Sequence, residues 1–181
     1  MTPRTYSDEG IVLARRSFGE ADRILSVFSK LHGRVSLIAK GVRKPKSRKG
    51  GHLEIFSQIK FQASHGKALD IITEVETLDP FLPIRKSLKK TALAYYFMEV
   101  VGRTTREGEP NRESYTIILE YLNRLKTETG LKNLRLDFIL RLLIVLGFWP
   151  KGRPLIDPDA QLEQTIERQL FSLRVGKKVL S

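Results

Sequence analysis

RVSLIAKGVRKPKSRKGGHLEIFSQIKFQ, residues 34–62, sets two runs of alternating side chains around a run of charge. Val35, Leu37 and Ala39 alternate with Arg34, Ser36 and Lys40. Leu53, Ile55, Ile59 and Phe61 alternate with Glu54, Gln58, Lys60 and Gln62. A period of two places one set on each face of a strand. Between the runs, Lys40–His52 holds six basic side chains (Lys40, Arg43, Lys44, Lys46, Arg48, Lys49), three glycines, a proline and no acid. Such a segment cannot bury itself. It concentrates positive charge at one point of a β-rich unit, and phosphate backbones are the partners that charge of this kind meets.

Further strands are expected on both sides. Gly10–Arg16 and Arg23–Phe28 precede the loop, and Leu69, Ile71, Thr73 and Val75 alternate after it with Asp70, Glu74 and Glu76. His32-Gly33 and His65-Gly66 fall between strand pairs, where glycine permits the positive φ of a tight hairpin. Five strands at hairpin spacing predict a small closed barrel. After Leu78 the period changes, and Asp79-Pro80 and Pro83 punctuate the join. Helices are expected over Arg85–Thr104, on the stripe Tyr115, Ile118, Leu119, Leu122 and Leu125, and over Leu131–Leu146, the last buried on most sides. Asp137 and Arg141, four residues apart, are placed to pair on its one wet face. Gly147 suits its C-terminal cap, and Asp157-Pro158 reads as the N-cap of a final helix carried by Leu162, Ile166 and Leu170. The fold class is α+β, a five-stranded N-terminal β-barrel (residues 1–80) followed by a C-terminal helical bundle (residues 81–181). Each half has a limited core, so the two are expected to pack together.

Composition narrows the function. The chain carries 32 lysines and arginines against 20 acids, a net charge of +12 that favours nucleic acid or another anionic partner. With no cysteine, disulfides, thiolate metal sites and cysteine nucleophiles are excluded. The start, MTPRTYSDEG, has no apolar core of a signal peptide. The most apolar run, Phe138–Trp149, is interrupted by Arg141 and is too short to span a bilayer. A cytoplasmic protein is expected, without a membrane partner.

Catalytic motifs are missing. The glycines flanking the basic loop do not have P-loop spacing, and no GxSxG elbow occurs. His32, His52 and His65 lie at turns or loop edges, with no HExxH pair, so no metal or other cofactor is expected. The acid pairs Glu107/Glu109 and Asp157/Asp159 flank prolines and read as loop solvation and caps. A non-enzyme is expected. The candidate phosphate contacts are Arg15, Arg16, Arg34, Lys40, Arg43, Lys44, Lys46, Arg48, Lys49 and His52; a scattered set would be ordinary solvated surface, but this density without acid favours backbone contact. Phe18, Phe28, Phe56 and Tyr6 are candidate stacking rings, although any one of them is more often core. DNA and RNA are not distinguished by these residues, and a non-catalytic protein-interaction scaffold is the rival class.

The segment GIVLARRSFGEADRILSVFSKLHGRVSLIAKGVRKPKSRKGGHLEIFS, residues 10–57, resembles the N-terminal domain of the RecO family of bacterial recombination mediators. The resemblance rests on Arg15-Arg16, Gly19–Leu25 (GEADRIL), His32–Arg34, Ala39–Gly41, Lys46–Arg48 and Gly50–Leu53. ALAYYFMEV (Ala92–Val100) and EGEPN (Glu107–Asn111) continue it into the helical region. It implies an oligonucleotide-binding (OB) fold, DNA repair and recombination through binding of single- and double-stranded DNA, and annealing of complementary strands. It also implies RecR, the C-terminal tail of single-strand binding protein and, indirectly, RecA as partners, at the bacterial nucleoid. An acidic tail of that kind needs a basic rim beside an apolar pocket, and Arg135 and Arg141 beside Phe138 and Leu142 offer the materials, although one buried helix with a wet stripe is the favoured reading of these residues. One departure stands out. Many members of the family insert a four-cysteine zinc module after the long apolar helix, where this chain passes from Trp149 through the link KGRPLIDPD.

Overall fold

The computed structural model describes residues 4–168. Five strands, β1 (Thr5–Phe18), β2 (Asp22–Ser29), β3 (Gly33–Ala39), β4 (Gln58–Ser64) and β5 (Asp70–Asp79), form a closed barrel in the order β1-β2-β3-β5-β4, with β4 returning to β1. All pairings are antiparallel except the short β3–β5 contact, Leu37↔Asp70 and Ile38↔Ile71. This closed order, with a parallel contact between the third and fifth strands, is the OB-fold arrangement. The helices follow: α1 (Leu82–Arg85), α2 (Leu88–Thr104), α3 (Arg112–Thr127) and α4 (Leu131–Val145). A further helix, α5, occupies 158–168.

Two cores result. Val12, Leu25, Val27, Leu37, Ala39, Ile59, Phe61, Ala63 and Ile72 fill the barrel. The second core joins the helices to the outside of the barrel, where Ile11, Leu13, Phe28 and Phe56 pack with Phe97, Ile118, Tyr121 and Phe138. Strand β1 therefore buries both faces, Val12 inward and Ile11 and Leu13 toward the helices. Its register shifts between Val12 and Ala14, a bulge that re-aims the strand there.

The junction is held by polar contacts as well. The Arg85 guanidinium lies 3.9 Å from the Phe56 ring centroid and donates to the carbonyls of Pro80 and Ile55 and to the Ser57 hydroxyl. Gln58 donates from Nε2 to the Tyr115 hydroxyl at 3.3 Å, and burial pushes that hydroxyl's pKa up to about 12. Gly33 has φ +70°, and a Cβ there would run into the backbone of Glu109. Only glycine lets the β2–β3 hairpin approach the α2–α3 turn so closely.

Four expectations are corrected. Leu53–Gln62 is not one strand, because β4 begins only at Gln58. Leu53 plugs the barrel while Ile55 and Phe56 turn to the helices, with Phe56 at φ +57°. Burial on opposite sides overrides the period of two. Gly66 does not take positive φ; its turn excludes a side chain because a Cβ would meet the Leu69 carbonyl. Asp137 pairs with Arg124 and accepts from Tyr121, and Arg141 pairs with Glu120. The neighbouring helix α3 offers better-placed partners than the same helix one turn on. The fourth is the apolar pocket offered as the less favoured reading of the long helix. Phe138 and Leu142 lie in the second core, 0% and 1% exposed, with the Phe97 and Phe138 ring centroids 4.1 Å apart. They have no face to offer a partner. Gly147 (φ +78°) and Asp157, which accepts from the Ala160 amide at 3.0 Å, do cap as expected. Leu170 lies outside the described residues.

Candidate nucleic-acid interface

The β3–β4 connection must cross one end of the barrel, and its sequence divides it into plugs, anchors and free charge. Val42 and Leu53 enter the barrel core and fix both roots of the loop. The Gly41 amide donates to Asp22 at 2.7 Å and the Arg43 amide to the Ala21 carbonyl at 2.9 Å, tying the loop to the β1–β2 turn. Tight turns follow, Lys44 amide to Gly41 carbonyl and Ser47 amide to Lys44 carbonyl. The far limb is tied to β5. The Lys49 ammonium donates to the Ile72 carbonyl at 3.1 Å, just past the last β3–β5 pair, and His52 Nδ1 lies 2.7 Å from the Thr77 hydroxyl. The loop thus satisfies backbone that β3 leaves unpaired.

Between these anchors Lys40, Arg43, Lys44, Lys46 and Arg48 are exposed. Arg16 joins them from the end of β1. The structure brings these six to one end of the barrel and gives other work to the remaining four. Arg15 pairs with Glu54 at 2.6 Å. Lys49 and His52 are anchors. Arg34 belongs to the barrel–helix junction, where its Nη2 donates to the Thr105 carbonyl and its own carbonyl accepts from the Gly108 amide. Sequence alone did not reveal Asp22, Ile72 and Thr77 as the loop's supports, because they come from strands brought alongside only by barrel closure.

The candidate rings are sorted by burial. Phe28 and Phe56 are fully buried. Tyr6 is half-buried at the opposite barrel end, its ring between those of His32 and His65 and its hydroxyl donating to Asp70. Phe18 is 48% exposed. The barrel is also electrically two-sided. Across β1, β4 and β5 the register aligns Glu9, Lys60 and Glu76, then Ser7, Gln62 and Glu74. Glu74 and Glu76 give that face an acidic edge, whereas the exposed cations of the loop attract a polyanion.

The two arginines expected to rim an apolar pocket are engaged within the chain. Arg135 forms a bidentate pair with Asp159, and Arg141 bonds Glu120. Among the described residues no group of three or more His, Cys, Asp or Glu is placed to hold a metal ion, and no helix is long and apolar enough to cross a membrane.

The family model for the N-terminal part of recombination protein O matches residues 1–81, and that for its C-terminal part matches residues 85–153. Similar proteins include the DNA repair protein RecO of Pelotomaculum thermopropionicum, 36% identical over 147 residues, 81% of this chain and 57% of that one. The DNA repair protein RecO of Rubrobacter xylanophilus is 37% identical over 147 residues, 81% and 59% of the two chains. That of Roseiflexus sp. is 34% identical over 151 residues, 83% and 53%. The chain spans a little over half the length of these curated relatives.

Proposed function

From the premise that the chain belongs to the RecO family, we propose that it is a non-catalytic DNA repair and recombination mediator. It binds single- and double-stranded DNA on the loop end of the barrel and anneals complementary strands. The observation that carries this reading is the division of labour in residues 40–53. Buried plugs and hydrogen-bonded anchors hold the backbone, and Lys40, Arg43, Lys44, Lys46 and Arg48 are left exposed. Phosphate contacts of this kind position a strand without reading its sequence, which suits a protein that must act on any gap.

The mechanism is electrostatic. Two complementary strands repel each other, and neutralising several phosphates on each lowers that repulsion and raises their local concentration. No bond is made or broken, so no nucleotide or metal chemistry is required of the chain. The helical half braces the barrel through the Arg85–Phe56 junction and carries the partner contacts: RecR, the C-terminal tail of single-strand binding protein and, through them, RecA. Phe138 and Leu142 do not receive the tail, being core. The setting is the bacterial cytoplasm, at the nucleoid.

Annealing of two complementary oligonucleotides, with and without the protein, tests the reading. Acceleration that fades as salt rises supports it. Tight binding without acceleration refutes the annealing step, and the absence of any salt-sensitive binding favours the interaction scaffold instead.

A further inference from the structure

Resting on the DNA-binding reading above, we propose that Phe18 is a base-stacking ring, held at the hairpin tip to take an unpaired nucleobase of single-stranded DNA. The ring closes β1 opposite Asp22, beside the turn at Gly19 (φ +58°). That turn is not free to swing. Asp22 accepts from the Gly41 amide, the Ala21 carbonyl accepts from the Arg43 amide, and Arg43 Nη1 reaches toward the Gly19 carbonyl at 3.5 Å. A half-exposed phenyl ring thereby stands at a turn whose backbone is tied to the most basic segment of the chain, although the turn itself carries Glu20 and Asp22.

The sheet register extends the surface. Phe18 and Arg16 share one face of β1 by the period of two, about 6.6 Å apart along the strand. That is roughly one nucleotide step of an extended strand, so Arg16 meets a phosphate where Phe18 meets a base. Opposite Arg16 lies Ile24, then Ile38, then Ile71, a row of three half-buried side chains across β2, β3 and β5. These face away from the barrel core, since their sequence neighbours Leu25, Leu37, Ala39 and Ile72 fill it. An apolar row with a cation and a ring at one end, and a basic loop beside it, suits a single strand with its bases turned to the sheet. A duplex hides its base faces and cannot use the row.

The test is a cycle with two probes, a thymine oligonucleotide and a strand of the same length made of abasic sites, and the variants Phe18→Ala and Phe18→Trp. The ring is exposed enough for both to fold, which circular dichroism checks. Phe18→Ala weakens binding of the thymine strand about tenfold and leaves the abasic strand unchanged. Its salt dependence equals that of the wild type, and Phe18→Trp restores affinity. No loss, or equal loss on both strands, overturns the inference. If the loop charges matter while Phe18 does not, only this inference falls. If the wild type binds neither strand, the DNA-binding reading falls with it.

Discussion

The Lys49 ammonium donates to the Ile72 carbonyl at 3.1 Å, so one cation of the basic loop anchors it to β5. It closes the gap that β3 leaves along β5. Replacing it with methionine keeps the stem and removes the bond, which costs about 1–2 kcal/mol for a charge-assisted hydrogen bond. Lys49→Met is expected to speed amide hydrogen exchange over the loop while the barrel strands stay protected. Unchanged exchange there would show that Val42 and Leu53 hold the loop alone.

The barrel–helix junction concentrates at Arg85. Its guanidinium covers Phe56 and bonds two carbonyls and a hydroxyl. Desolvation by burial lowers its pKa, although the Coulombic pull of Glu54 opposes this. Arg85→Ala leaves acceptors unsatisfied and a left-handed Phe56 uncovered. A loss of about 3 kcal/mol is expected in urea unfolding. A midpoint close to wild type would mean the apolar core suffices.

Gly33→Ala tests the second tie between the halves. It combines positive φ with a collision against Glu109 and is expected to destabilise by about 2 kcal/mol or more. The salt dependence of DNA binding should be unchanged, since the hairpin lies away from the basic loop. A stable Gly33→Ala protein would show that the α2–α3 turn yields.

Much of this fold was legible in sequence, and the exceptions have physical causes. The period of two found β3 and the first part of β4, 58–62, where one strand face meets one core. It failed at Leu53–Ser57, because that segment serves two cores and no single face describes it. The helical stripe identified α3. On α4 the apolar residues surround the helix, so periodicity could not tell buried Phe138 from half-buried Leu140. Asp137 and Arg141 looked like a pair because i,i+4 spacing is visible in sequence and the nearer partners on α3 are not. In the candidate site the density of the loop was legible. Arg15, Arg34, Lys49 and His52 were indistinguishable there from the exposed cations, because only closure of the barrel and docking of the helices supplies their partners.

Acid should loosen α4 from both α5 and α3. A hydrogen bond from Arg135 holds the Asp159 carboxyl below its usual range against the opposing effect of burial. Burial alone would raise Asp137, but hydrogen bonds from Tyr121 and Arg124 outweigh it and the net shift is downward. Both folded values lie below the unfolded value near about 4. The stabilisation is therefore complete above that pH and is lost as pH falls through the folded values. Urea midpoints measured downward from pH 5 should drop, and Asp159→Asn should flatten part of the drop. An equal drop in the variant would contradict the role of the Arg135 pair.

The most direct test of the basic loop is the salt dependence of binding to single-stranded DNA, for wild type and for Lys44→Glu, Lys46→Glu and Arg48→Glu combined. With about five phosphates engaged, log K should fall against log salt with a slope of about −3.5. The triple variant, folded as judged by circular dichroism, should bind more than tenfold more weakly with a shallower slope. A folded triple variant with wild-type affinity and slope would contradict the account.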